Sequence, residues 1–319
     1  MRLFLALIVA LCSVVSAQAL DYPTRPVRIM VGWAPGGIAD VAARIVASRL
    51  TEKWGQQVIV ENRAGASGMI ANGVAARAEP DGYTLMLATS PEVTTTPFMQ
   101  KNAPKYFAEN FIPVSLVSVN PMALVATSSG PYKSVKELIA AAKAKPGEIS
   151  YSSAGVGSAP HLAGEVFADA TGIKIQHVPY KGGSPAAVAV AAGEVPIGFV
   201  AVAGAVALVQ SGRMHVLGLT TAKRIETQPD WPTLAEAGVP DFDYTVWTGL
   251  FVQKGVPAEI VRKLGVDLSE VLARSDVKNQ FEVLGAVAGN EPLAAFVERI
   301  NRDTRINEAI VQKANLKSE

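Results

Sequence analysis

Four short runs of small residues are the segments of this sequence best suited to hold a ligand. They are Trp33-Ala34-Pro35-Gly36-Gly37, Arg63-Ala64-Gly65-Ala66-Ser67-Gly68, Ser152 to Ser158, and Tyr180-Lys181-Gly182-Gly183-Ser184. Each follows an expected strand and precedes an expected helix. Glycine lets a ligand come close to the backbone. A helix start offers unpaired N–H groups and a partial positive charge. Helix starts that face one cleft make a clamp for a carboxylate or phosphate. Gly and Ser also make plain turns and caps, which is the reading for any one run; four runs in one chain favour binding.

Catalytic groups are scarce. The three histidines, His161, His177 and His215, are isolated in sequence, and none forms a zinc-helix pair. There is neither a G-x-S-x-G elbow nor a G-x-x-x-x-G-K-[ST] loop. Gly155-Val156-Gly157 opens like a dinucleotide fingerprint, but Pro160 stands where the last glycine belongs. His161 and Glu165 share a helix face without a third metal ligand. No metal or cofactor is therefore expected. A hydrolase using Ser67 or Ser158 would need a base within hydrogen-bond reach. His161, in a first helical turn where positive charge is unfavourable, is expected neutral.

The chain has 319 residues, 49% hydrophobic and 18% charged. That is too apolar and too weakly charged for a disordered chain. Lys+Arg 29 against Asp+Glu 28 leaves a net charge of +1, so no domain-wide basic surface awaits nucleic acid. The length suggests two domains, on a prior of about 100–200 residues each.

Residues 1–19 read as a secretory signal, with a positive start at Arg2, an apolar stretch over 3–15 and a small-x-small site at Ala17-Gln18-Ala19. The stretch is short for a transmembrane helix, which needs about 20 residues. Cleavage after Ala19 removes Arg2 and Cys12, leaving 28 basic residues, 28 acidic ones and no cysteine. A cysteine-free exported chain suits the periplasm.

The elements that must position the loops alternate. Strands are expected at Val27 to Trp33, Val58 to Val60 and Thr84 to Ala88, with helices between, which argues for a parallel sheet with both faces covered. Pro91 to Pro113 reads as a loop or edge excursion. A second series has strands at Met122 to Ala126, Ile149 to Ser152, Ile175 to Val178, Val195 to Val200 and Val216 to Leu219. Ser134 and Glu137 form a capping box. Tyr244 to Val252 is a further strand, and helices begin at Pro257 and Pro292.

Taken together, Pro35-Gly36-Gly37-Ile38-Ala39-Asp40 with Arg44, Val60 to Gly68, Pro80-Asp81-Gly82-Tyr83-Thr84-Leu85, Tyr151 to His161, Val178-Pro179-Tyr180-Lys181-Gly182 and Trp231 to Gly238 resemble, in order, the motifs of the Bug-type receptors of tripartite tricarboxylate transporters. The resemblance implies an α/β, two-lobed, type II periplasmic-binding-protein-like fold. Each lobe would be a mainly parallel sheet flanked by helices, with the ligand cleft between. Lobe 1 is expected over 20–121 plus 240–319 and lobe 2 over 122–239, with hinges near 115–122 and 228–245.

The implied ligand is a small carboxylate, di- or tricarboxylate or aromatic acid, passed by a monomeric receptor to membrane transporter subunits. A subunit presenting the carboxylate to a membrane sensor kinase would need the same receptor. Carried over by motif, the ligand-binding residues are Trp33, Gly36, Gly37, Ala66, Ser67 and Gly68 in lobe 1. In lobe 2 they are Ser153, Gly155, Gly157, Ser158, His161 and Tyr180. Ser90 and Ala201, at strand ends, complete the set. Asp40 is expected to hold the first loop in shape and Arg44 to partner an acid. Trp33 either stacks on a ligand ring or fills the lobe's core. Many relatives carry an acid where this chain reads Gly198-Phe199-Val200-Ala201, which disfavours an amino acid ligand.

Overall fold

The computed structural model describes residues 21–33, 35–99, 106–180, 182–289 and 291–313. Residues 1–19, read as a signal peptide, lie outside them. The first sheet starts with β1 (Val27–Val31), whose run is apolar enough to be covered on both faces. Helix α1 (Ile38–Trp54) buries Ala39, Ala42, Ala43, Val46 and Leu50 and stops at left-handed Gly55. β2 (Val58–Asn62), α2 (Met69–Ala76) and β3 (Thr84–Thr89) follow, and β1 pairs in parallel with both β2 and β3.

The described part of the stretch expected as a loop is instead three short helices, α3 (Ser90–Thr94), α4 (Thr96–Met99) and α5 (Tyr106–Asn110). It runs into β4 (Phe111–Asn120), a strand of 10 residues that the pattern conceals. Pro113 argues against a strand, yet it faces Phe251 at a register shift, where a sheet tolerates proline.

The second sheet holds β5 (Met122–Thr127), β6 (Ser150–Ser153), β7 (Gln176–Pro179), β8 (Ile197–Ala201) and β9 (Met214–Leu219). Between them lie α6 (Val135–Ala144), α7 (Ala159–Thr171), α8 (Gly183–Ala192) and α9 (Val202–Gln210). The chain then returns to the first sheet as β10 (Val246–Gln253), followed by α10 (Ala258–Ala273), α11 (Ser275–Val283), β11 (Val287–Ala288) and α12 (Leu293–Lys313).

The sheet orders are β11-β4-β10-β3-β1-β2 and β7-β6-β8-β5-β9. Both sheets are mixed. β1 to β4 run one way with β10 and β11 opposed, and β6 to β9 run one way with β5 opposed. The opposed strands β5 and β10 adjoin the two crossings between sheets, at Pro121 and at Tyr244-Thr245. The order reverses at β1 in the first sheet and at β6 in the second, so the loops after these strands open at a switch point, the place where open α/β sheets take ligands.

Separate apolar cores cover the sheets. Ile29, Leu85, Leu250 and Leu268 belong to one, and Leu124, Tyr151, Phe167 and Phe199 to another. α12 spans both sheets rather than lying on the first alone: Phe296 packs with Trp247, while Ile310 joins the second sheet's core. It also fastens the returning crossing. Trp247 Nε1 donates to Asp303 at 2.8 Å, Arg302 pairs with Asp243 at 3.1 Å, and the Tyr244 hydroxyl donates to Asn307 at 3.3 Å. Among the described residues no helix is long and apolar enough to cross a membrane.

Candidate ligand-binding site

The first-sheet loops meet because β2, β1 and β3 are neighbours. Gly36 and Gly37 are exposed, and a Cβ at Gly36 would meet nothing within 4 Å. Asp40, buried one turn into α1, accepts the Gly36 amide at 2.8 Å and pairs with Arg44 at 2.9 Å. Burial alone would raise its pKa, but the bonds from Arg44 and Gly36 outweigh that and hold the carboxyl below its usual range. Arg44 thus partners an acid.

The second loop is irregular. Gly65, Ala66 and Gly68 all have positive φ, and at Ala66 (φ 47°) this is a strained conformation for a residue with a Cβ. Ala66 is exposed and Gly68 buried; the Ser67 side chain lies outside what is described. Gly68 can only be glycine. Its φ is +88°, and a Cβ would come within 2.0 Å of Glu92 Oε1. Behind both loops lies Glu92 itself, 1% exposed. Its Oε2 accepts from Trp33 Nε1 at 2.8 Å, from the Thr89 amide at 2.6 Å and from the Thr89 hydroxyl at 2.8 Å. Oε1 has no partner among the described residues. Burial pushes the carboxyl up to about 7, against those three donors.

Trp33 neither fills the core nor swings free. It is 37% exposed, its indole N–H is held by Glu92, and its carbonyl accepts from Asn62 Nδ2 at 3.0 Å. Ser90 is buried, and its hydroxyl accepts the Trp247 amide at 3.3 Å, tying the third loop to the crossing strand.

In the second sheet, Tyr180 donates its amide to the Ser153 carbonyl at 2.9 Å, so the loops after β6 and β7 adjoin. Tyr180 is half-buried. Gly157 donates to His161 Nδ1 at 3.0 Å, and Gly155 donates to Ser153 Oγ at 3.1 Å, which in turn contacts His177 Nε2 at 2.5 Å. The two imidazoles stack with centroids 3.7 Å apart and planes at 12°. Burial lowers both to about 4, and His161 further lowers His177. Both rings are neutral at pH 7. An acceptor at His161 Nδ1 puts its proton on Nε2, which lies 3.8 Å from Glu165. Glu165 also accepts the Tyr151 hydroxyl at 2.7 Å.

Ser158 caps α7 in position only. Its hydroxyl donates to the Gly155 carbonyl at 2.7 Å. Ser153, expected at the ligand, is fully buried against His177 and supports the loop from behind. Ala201 is exposed at the start of α9, beside the crossing, where the Val202 amide meets the Pro121 carbonyl at 3.1 Å. α1, α7 and α8 begin without a side-chain cap, leaving first-turn amides open to an anion, whereas the first amide of α9 is taken by the Pro121 carbonyl.

The structure thus brings the expected residues together in two clusters, one per sheet. They approach each other where Gly157 abuts Met99 of α4: a Cβ there would lie 2.8 Å from Met99 Cε. Two described cavities, about 530 Å³ at the far end of α7 and about 830 Å³ beside α10, are lined by none of the candidate residues. Among the described residues no group of three or more His, Cys, Asp or Glu could hold a metal.

Sequence reasoning missed the supports Glu92, Asn62 and His177. Thr89-x-x-Glu92 has capping-box spacing, a signal that was there to be found. Other motifs prove architectural. Asp81 accepts the Tyr83 amide at 2.9 Å, the Tyr22 hydroxyl donates to the Gly82 carbonyl, and Thr233 and Glu236 cap each other reciprocally.

Two sheets of type II order, joined by crossing strands and carrying facing small-residue loops, define a two-lobed periplasmic-binding-protein-like receptor. The chain belongs to the tripartite tricarboxylate transporter receptor family (TctC), whose description matches residues 42–315. It is 34% identical to Protein BugT of Bordetella pertussis over 270 residues, covering 84% of this chain and 83% of that one. It is similar to R. palustris Rpa4515 with adipate (32% identity, TM-score 0.76, 92% and 99% of the two chains). It is also similar to MatC from Rhodopseudomonas palustris with bound malate (28%, TM-score 0.72, 91% and 100%). The family is one of periplasmic solute receptors for carboxylates.

Proposed function

We propose that the chain is exported, is cleaved after Ala19, and binds one small carboxylate between lobe 1 (20–121 plus 240–319) and lobe 2 (122–239). It then delivers that carboxylate to the membrane subunits of a tripartite transporter. The observation that carries this reading is the pair of loop clusters with uncapped helix starts, in which Gly36 and Gly157 are each held from behind by a side chain. Several amides aimed at one carboxylate bind it without an arginine, because each N–H···O⁻ bond is charge-assisted. Adipate in Rpa4515 and malate in MatC support a carboxylate ligand. Closure about the crossings near 115–122 and 228–245 lets the ligand bridge contacts that the open form lacks. The reading is of a receptor rather than a hydrolase: of the two candidate serines, Ser158 donates its hydroxyl to the Gly155 carbonyl, and the Ser67 side chain lies outside what is described.

The test is a thermal-shift panel of mono-, di- and tricarboxylates and aromatic acids on protein unfolded and refolded to strip any carried ligand. At a hundredfold excess over Kd a true ligand adds about 2.7 kcal/mol of apparent stability. X-ray scattering should show the same ligand compacting the protein. A flat panel with unchanged scattering would sink the reading.

A further inference from the structure

Trp33 and Glu92 form a unit that ligand binding through backbone amides does not require. Exposed tryptophans normally keep rotamer freedom, and an exposed apolar residue alone needs no explanation. Trp33 is different because both of its ends are fixed. The indole N–H is bonded to a carboxyl buried beneath the loop, and the carbonyl is bonded to Asn62. The residue is 37% exposed and lies three and four positions before exposed Gly36 and Gly37 in the same loop. A buried carboxyl is costly unless something needs it. Here all three donors converge on one oxygen, while the other faces Gly68 without a partner among the described residues. Glu92 therefore trades an unsatisfied oxygen for a fixed indole. A ring whose conformational entropy is already lost in the free protein is a preorganised surface. The neighbouring Ile38 and Ile70, both about half exposed, extend the same apolar character at the starts of α1 and α2.

We infer that Trp33 is a specificity-determining residue and Glu92 the positioning residue that fixes it, and that together they select carboxylates with a flat, apolar body over flexible aliphatic acids. This deepens the proposed carboxylate-receptor reading and rests on it. A face-on indole favours a ring over an equally large alkyl chain by the aromatic pair term, about threefold to tenfold in affinity.

The experiment is calorimetric titration of refolded protein with benzoate and phthalate against hexanoate and adipate. The wild type should bind the aromatic member of each pair about threefold to tenfold more tightly. Trp33→Leu should bring the ratio to about one while keeping affinity for the aliphatic acids. Glu92→Leu should do the same by releasing the indole, and Glu92→Gln, which keeps an acceptor for it, should restore the preference. A general loss of loop structure would lower all four affinities together and leave the ratio alone, so the ratio reads positioning rather than damage. Should Glu92→Leu fail to fold, Trp33→Leu and Glu92→Gln still decide. The inference is overturned if the wild type prefers the aliphatic acids, or if the ratio survives Trp33→Leu. A wild type that binds none of a broad carboxylate panel overturns the receptor reading and this inference with it; a wild type that binds carboxylates without aromatic preference overturns this inference alone.

Discussion

In the first lobe the Gly36 amide rests on the carboxylate of Asp40 and the Trp33 indole on the carboxyl of Glu92; in the second, the Gly157 amide rests on the imidazole of His161, and Gly155 on Ser153 backed by His177. Both arrangements do the same mechanical work, holding loop amides from behind so that others point outward. They differ in charge. Asp40 is ionised and paired with Arg44, whereas the histidines are neutral and pressed against each other. Anionic supports behind one loop and neutral ones behind the other teach that the shape of an amide cradle, not the charge beneath it, is what the fold reproduces twice. The charge is then free to differ, and with it the response of each lobe to pH.

The largest effect expected on this comparison comes from the glycines. Gly68→Ala drives a Cβ into Glu92 and forces an alanine to φ +88°, and should cost about 3 kcal/mol in urea denaturation. Gly36→Ala, with a similar φ but open space, should cost only about 1 kcal/mol. Equal losses would mean that Glu92 does not back the second loop as described.

Next is His161→Ala, which removes the acceptor of the Gly157 amide and one face of the stack. It should destabilise by about 2 kcal/mol and weaken carboxylate binding, whereas His161→Asn, which keeps an acceptor, should be milder. Unchanged binding in both would separate the second lobe from the site.

The pH dependence sharpens the contrast, because the two supports carry opposite signs. His161 and His177 fall from 6.5 to about 4 on folding, so their contribution is present above pH 6.5 and lost as pH falls through about 4. Glu92 rises from 4.5 to about 7, so its contribution is present below pH 4.5 and lost as pH rises through about 7. Glu165 and Tyr151 beside the histidines, and Trp33 and Thr89 around Glu92, complete the two settings. The wild type should therefore show a shallow stability profile between pH 4 and 6.5. Glu92→Gln should make the rise with pH steeper, and His161→Asn should flatten or reverse it. Parallel profiles in all three proteins would show that these groups do not titrate in opposition.

The smallest effect is Asp40→Asn. It keeps an acceptor for Gly36 and loses the charge facing half-exposed Arg44, at a cost of about 1 kcal/mol by denaturation.

The alternation of strand, small-residue loop and helix was readable at β1 and β2 from their apolar stretches. At β6 and β7 it was readable from the glycine loops and helix starts that follow them, since β6 (Ser150-Tyr151-Ser152-Ser153) and β7 (Gln176-His177-Val178-Pro179) are not apolar runs. β4 was hidden by Pro113 and by Ser115 and Ser118, which break the run, and its pairing depends on β10, more than 120 residues away. β11 pairs through two residues, too few for any pattern. The glycines of the site were legible because their conformations are local. Their supports were not. His177 lies on a neighbouring strand and meets His161 only when β6 and β7 pair, and Glu92 meets Trp33 only when β1 and β3 lie side by side.

The crystal structure of a carboxylate complex of the refolded protein tests the central claim most directly. The account predicts carboxylate oxygens within hydrogen-bond distance of amides from the Gly36–Gly37 or Ala66–Gly68 loop and, in the same molecule, from the Gly155–Ser158 loop. A ligand held by one lobe alone, or seated in the cavity beside α10, would contradict it.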